Sequence, residues 1–247
     1  MAKQCVFCGE KAGSREHVLP AWMARAAPKA FTESSGERNL YTGGQMKVIP
    51  HKFATMTVKC VCGTCNNGWM SRLEASVKPF LMQLTRGEQI ALGPAEQTAL
   101  ATWSMKTAMM MLRASYLDDP HPIPKSDYKH LYEYGKLSMR RMRANAFYVE
   151  PPGDDEHHIW GDLRVLPFST RYRGYQVKLR VGWFAVQLLS VALPPAYEIG
   201  QLGRTLRAQP LWPAQADQFT WPPLKPLPYE TWLAMEPRQL AVMKRPV

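Results

Sequence analysis

The chain has 247 residues, 46% hydrophobic and 21% charged, ordinary proportions for a globular protein with room for one large core or two small ones. Its net charge of +11 and pI near 9.5 favour a polyanionic partner, nucleic acid ahead of an anionic membrane. Five cysteines argue against a complete disulfide framework. The most apolar segment, Thr98 to Leu117, contains Lys106 and Arg113, so a membrane span is not expected. Met1-Ala2-Lys3-Gln4-Cys5 leads straight into a cysteine pair rather than a secretion signal, and a cytoplasmic location with reduced thiols is expected.

Taken in order, Cys5-Val6-Phe7-Cys8 opens the chain, and a short strand is predicted to end at Glu16-His17 before Pro20. Val18, Leu19, Trp22 and Met23 are apolar enough to pack beneath it. Residues 24–54, rich in Gly, Ser, Asn and Lys/Arg, read as a long loop with a few short elements. Within it, Arg25, Lys29, Arg38 and Lys47 are candidates for phosphate contacts or for an ordinary solvated surface. Thr55 to Val61 has the Thr and Val enrichment of a strand and delivers the chain to a second pair, Cys62-Gly63-Thr64-Cys65, with Asn66 directly after. Trp69, Leu73 and Val77 then recur at helical spacing, predicting a helix from Asn66 to Val77 that ends before Pro79.

A turn region over Gly87–Pro94 precedes a long buried helix across 95–115, marked by Leu100, Trp103, Thr107, Met111 and Leu112. Met109-Met110-Met111 reads as core filler. Pro120, Pro122 and Pro124 interrupt the chain. Ser126 is the candidate N-cap of a helix from Asp127 to Arg143, whose last turn would carry Arg140, Arg141 and Arg143. Cations there suit the helix dipole, and equally a phosphate. From residue 146 the period becomes two, and Phe147–Val149 and Ile159–Leu166 predict strands. Tyr175–Val181 alternates polar Gln176, Lys178 and Arg180 with apolar Val177, Leu179 and Val181, which predicts a half-buried antiparallel strand. Gly182 marks a turn, and Trp183 to Leu193 a more buried strand. The tail from 207, with Trp212-Pro213 and Trp221-Pro222-Pro223, predicts an ordered wrap, because exposed tryptophans are costly.

Two Cys-x-x-Cys pairs are a strong metal signal, and the four thiolates of Cys5, Cys8, Cys62 and Cys65 would close a tetrahedral structural zinc site. Cys60 shares a strand face with Cys62 and is a rival ligand. Cys62 has the knuckle spacing to Cys65, which leaves Cys60 as a buried thiol. Glu16 offers a hard oxygen ligand and Asn66 a second one. His17 offers a base, since an imidazole titrates near ~6.5. Each has a plainer reading: Glu16 pairing with Arg15 or orienting His17, His17 as a core or zinc histidine, Asn66 as an N-cap in competition with Asn67. His51, His121 and His130 show no partner, and His157 and His158 face opposite ways on a strand.

Cys5, Cys8, Glu16, His17, Cys62, Cys65 and Asn66 together resemble the HNH endonucleases of the ββα-metal type, including the recombination endonuclease VII group and the HNH proteins of phage and bacterial genomes. The resemblance covers the first third of the chain. It implies an N-terminal zinc-stabilised ββα-metal nuclease module over 1–94; together with the helical and antiparallel-β patterning read over 95–247, a region for targeting, substrate binding or oligomerisation, an α+β protein is expected. It implies Zn²⁺ on the four cysteines, a catalytic Mg²⁺ or Mn²⁺ on Glu16 and Asn66, and His17 as general base. Many such sites carry Asp where this chain has Glu16, one methylene longer, so the ion would shift. Asn39 stands either as the middle asparagine of the motif or as an ordinary loop residue. The implied reaction is phosphodiester hydrolysis in DNA that leaves a 5′-phosphate and a 3′-hydroxyl. One ion and one base cut one strand at a time, so double-strand cleavage takes a homodimer or two encounters. Arg15, Arg38, Arg140, Arg141 and Arg143 are the candidate nucleic-acid contacts. The alternative is a zinc-dependent nucleic-acid-binding module without catalysis; a third reading gives the C-terminal region a protein partner. No membrane association is expected.

Overall fold

The computed structural model describes residues 3–26, 35–42, 44–52, 55–117, 121–151, 159–167, 173–193, 197–199, 207–223, 225–235 and 242–244. Strand β1 (Ser14–His17) turns Glu16 inward and Arg15 and His17 outward, as alternation requires. Helix α1 (Ala21–Ala26) follows and buries Met23. Where a long loop was expected, β2 (Ser35–Thr42) and β3 (Gln45–Lys52) form an antiparallel hairpin in register from Ser35↔Lys52 to Thr42↔Gln45. The two residues between Thr42 and Gln45 are glycines, and Gly44 has φ +73, the conformation a tight hairpin turn demands. Exposed Met46 and Val48, with Pro50 at a strand position, hide the alternation from a sequence reading. Proline is tolerated because a two-stranded sheet consists of edges.

Strand β4 (Thr57–Val61) pairs antiparallel with β1 through Glu16↔Val58 and His17↔Thr57, with a bulge between Ser14 and Glu16. The chain then winds through a helical turn at Gly63–Cys65 and a wider one at Asn66–Met70, kinked at Gly68 (φ −94, ψ −107), into α2 (Ser71–Thr85). Pro79, expected to end this helix, lies within it. Pro79 and Ala75, whose carbonyl loses its helical partner, are both exposed, so water can take the missing bond.

Strand β5 (Ile90–Leu92) leads to α3 (Pro94–Ser115), which has Pro94 in its first turn and every residue from Leu100 to Leu112 buried. A helix buried all round must have neighbours on every side. Here they are α2, β2 and β4 from the N-terminal half and the sheet of the C-terminal half. One core runs from Cys5 and Phe7 through Leu100 and Trp103 to Val177, Leu188 and Trp221. It is therefore continuous across residue 94, where the sequence suggested a boundary.

Helix α4 (Lys125–Tyr134) stops well short of Arg143. Gly135 takes the left-handed conformation (φ +60) and its N–H donates to the Leu131 carbonyl, closing the helix. Arg140 and Arg141 thus lie in the turn that follows, and Arg143 in β6 (Met142–Tyr148). Strands β7 (Ile159–Pro167), β8 (Arg173–Val181) and β9 (Phe184–Val191) come next, with Gly182 (φ +59) in the tight turn between the last two. The chain continues through β10 (Tyr197–Ile199), β11 (Gln209–Trp212), β12 (Phe219–Trp221), helix α5 (Tyr229–Ala234) and β13 (Val242–Lys244). The main sheet is antiparallel in the order β11-β6-β9-β8-β7, while β12 pairs with β5 and β10 with β13.

The tail wraps as expected, burying Trp212, Trp221 and Trp232. It also overturns the half-buried reading of β8, because Gln176, Lys178 and Arg180 are buried as well. Lys178 Nζ donates to the carbonyls of Trp232 (2.9 Å) and Leu233 (2.8 Å) at the end of α5, and the Arg180 guanidinium lies 5.2 Å above the Tyr229 ring. Among the described residues, no helix is long and apolar enough to cross a membrane.

Candidate metal centre and the strand beside it

The first cysteine pair sits on a tight turn. Cys5 N–H donates to the Glu10 carbonyl (2.6 Å) and Gly9 N–H to the Cys5 carbonyl (3.0 Å); Gly9 has φ +84. Val6 N–H donates to the Cys60 carbonyl (3.0 Å), tying this turn to β4. The second pair spans the end of β4 and the first helical turn. There the Cys62 sulfur caps the helix by accepting the Cys65 N–H at 3.3 Å. The ligand atoms of Cys5, Cys8, Cys62 and Cys65 all lie within 4.8 Å of one another, and Cys8 and Cys62 Sγ are 3.5 Å apart. A tetrahedral zinc with Zn–S bonds of about 2.3 Å places its sulfurs about 3.8 Å apart. The thiols are free of disulfides, and the donor set fits a structural zinc.

The thiols are prepared unequally. Burial pushes Cys5 up, but the backbone N–H groups of Cys8, Phe7 and Cys62 outweigh it and bring the thiol down to about 7. Burial raises Cys8 and Cys65. Cys60 stands apart: it contacts the Met110 sulfur at 4.0 Å and burial pushes it up to about 12, as befits a thiol packed against the core.

Beside this cluster, Asn66 is clipped to β1. Its Nδ2 donates to Ser14 Oγ (2.7 Å) and to the Arg15 carbonyl (3.2 Å). A carbonyl only accepts, which fixes the amide orientation. Among the described residues no hydrogen bond uses Asn66 Oδ1, which is open to a ligand. Asn67 is exposed. His17 and Arg15 are exposed on the outer face of β1.

Glu16 faces the other way. It is 6% exposed, and Lys106 Nζ lies 3.0 Å from its carboxylate and 2.7 Å from that of Glu74. Burial raises the Glu16 carboxyl above its usual range, against the pull of the Lys106 charge. The structure thus unites Asn66 with the strand that carries Glu16 and His17, but directs the Glu16 carboxylate to Lys106 rather than to Asn66. Sequence reading missed Lys106 and Glu74. The available signal was a charged residue on the apolar face of α3, because a buried ammonium requires an anionic partner.

Arg140, Arg141 and Arg143 each have partners within the protein. Arg141 Nη2 pairs with buried Asp127 at 3.1 Å, and Asp127 also accepts the hydroxyls of Tyr175 and Ser190, each at 2.9 Å. Arg143 is buried and donates to the carbonyls of Met139, Met142 and Ile199. Arg140 donates to the Leu193 carbonyl at 3.1 Å. These guanidiniums hold the β6 corner together. Lys47 is exposed and Asn39 lies exposed in β2. Lys29, His157 and His158 lie outside the described residues, as do the side chains of Arg25, Arg38 and His51. No protein-family model, curated protein or solved structure matches the chain.

Proposed function

We propose that the chain is a metal-dependent endonuclease of the HNH type, hydrolysing phosphodiester bonds in DNA with His17 as general base. One placement carries the reading: the strand that ends in exposed His17 is clipped, through Ser14 and Arg15, to Asn66, the residue directly after the last cysteine of the zinc cluster. The cluster therefore fixes the base and an open oxygen ligand on one rigid unit. An exposed imidazole at a strand end takes the proton from a water attacking a phosphodiester laid across the outer face. Arg15 shares that face and offers its guanidinium to a neighbouring phosphate.

A bound Mg²⁺ or Mn²⁺, held by Asn66 Oδ1 and Glu16, would supply the charge that stabilises the leaving 3′ oxygen. As placed, Glu16 does not fit that role: its carboxylate lies on the inner face of β1, opposite His17, and is held by Lys106; serving the ion would require it to leave Lys106, which retains Glu74 as its partner, and to turn towards Asn66. The same pair favours the rival reading, a zinc-dependent nucleic-acid-binding module without catalysis, in which Glu16 stays on Lys106.

Plasmid nicking with Mg²⁺ or Mn²⁺ separates the two. His17→Ala should keep its zinc and lose cleavage by ~10²- to 10⁴-fold. Cleavage by His17→Ala at the wild-type rate would refute the site; a wild-type protein that binds DNA and never cuts it would select the rival.

A further inference from the structure

We propose that the cleft between the first cysteine turn, β4, α3 and α4 binds one strand of nucleic acid. The inference rests on the nucleic-acid part of the reading above and not on catalysis. The cleft has a volume of ≈ 970 Å³, and its charged lining is Lys3, Lys59, Arg113, Lys125 and Lys129 against a single carboxylate, Glu133. Arg113 belongs to the wall: it donates to the Tyr128 hydroxyl at 3.2 Å and lies 5.0 Å over that ring. Lys59, Lys125 and Lys129 are exposed. Lys129 sits 3.5 Å from Glu133 with both side chains largely in water, a pairing that a phosphate can replace. Lys125 and Lys129 are one helical turn apart on α4, while Lys59 comes from β4, so the cations border the cleft from two elements.

The cleft suits a single strand better than a duplex. Tyr132, 40% exposed, lines it and offers a ring for a base to stack on. The cleft is also continuous with the proposed site. The pairing His17↔Thr57 puts those two residues on one face of the β1–β4 pair, and Thr57 shares that face with Lys59. Thr57 and Lys59 both line the cleft, so a strand lying in it runs along β4 towards His17.

The test is fluorescence anisotropy of a labelled oligothymidylate with the full chain, without added divalent ions, over a range of salt. Neutralising Lys59, Lys125 and Lys129 together to Gln should lower the salt slope by about 2 and the affinity in about 0.1 M salt by about 100-fold, at ~0.7 per lost phosphate contact. A control removes the same charge from exposed lysines elsewhere, Lys52, Lys78 and Lys225, and should keep slope and affinity. Both variants should retain zinc and the wild-type melting temperature. An unchanged slope in the cleft variant, or an equal loss in the control, overturns the proposal. Duplex binding with the same dependence on the three lysines overturns it too. Failure of nicking with the cleft result intact would remove the nuclease reading alone.

Discussion

Replacing Lys106 by Met tests how the N-terminal strand is fixed to the central helix. The side chain has no exposed surface, and its ammonium lies 2.7 Å from Glu74 and 3.0 Å from Glu16. Methionine keeps most of the volume and the helix propensity and deletes the charge. Glu16 is then buried without a cation. Breaking a buried pair by removing one partner costs about 3–5 kcal/mol. Glu74, with 21% of its side chain exposed, adds less because water reaches it.

The loss depends on pH in a definite direction. Burial already raises the Glu16 carboxyl in the folded protein, with Lys106 pulling against it. Without Lys106 the carboxyl rises further. A carboxyl raised in the folded state stabilises the fold fully below its unfolded pKa, and that contribution is lost as pH rises through the folded value. The deficit of Lys106→Met against wild type should therefore be largest near neutral pH and shrink in acid as Glu16 takes up a proton. Urea unfolding followed by tryptophan fluorescence at about pH 7.5 and about pH 5 measures it, given a common denaturant slope. Adding Glu16→Gln to Lys106→Met should recover much of the loss, since the orphaned charge is gone. A variant within ~1 kcal/mol of wild type at neutral pH, or a deficit that grows in acid, would refute the reasoning.

Two further outcomes are expected. Cys62→Ser should abolish zinc retention and unfold the N-terminal half, whereas Cys60→Ser should keep the zinc by elemental analysis and lose on the order of 1 kcal/mol. Arg141→Gln should destabilise the fold, by about 1–3 kcal/mol in thermal or urea unfolding for the weakened pairing of buried Asp127, and leave the salt dependence of nucleic-acid binding unchanged.

The parts legible in the sequence were those set by local pattern. The spacing of two cysteine pairs pointed to the four-sulfur cluster, helical periodicity marked α3, and Gly182 marked the turn between β8 and β9. What stayed hidden depends on contacts remote in sequence or on a local rule giving way. Lys106 and Glu16 are 90 positions apart, and only the fold puts an ammonium beside that carboxylate. Arg140, Arg141 and Arg143 read as the last turn of a helix, suited to its dipole or to a phosphate, because Gly135 was not taken as the helix stop, and a guanidinium that binds carbonyls looks the same in sequence as one that binds phosphate. The β2–β3 hairpin was missed although its glycine pair was visible, since Met46 and Val48 face solvent. Pro79 failed to end α2 because the bond it removes lies on a wet face.

The C-terminal helix is gripped by its main chain. Lys178 reaches the carbonyl oxygens of Trp232 and Leu233, and every amino acid brings a carbonyl. Glu230, Thr231 and Ala234 point to solvent, so little of the attachment is written in them. A strap fastened in this way is free to drift at its outward positions while its seat stays put. In a distant relative the recognisable trace would be a lysine in the middle of β8, a tryptophan against it and the apolar residues packed beside that tryptophan, here Leu227, Leu233 and Met235. For the engineer, the same property makes the outer side of α5 a place to write a new epitope without disturbing the sheet beneath.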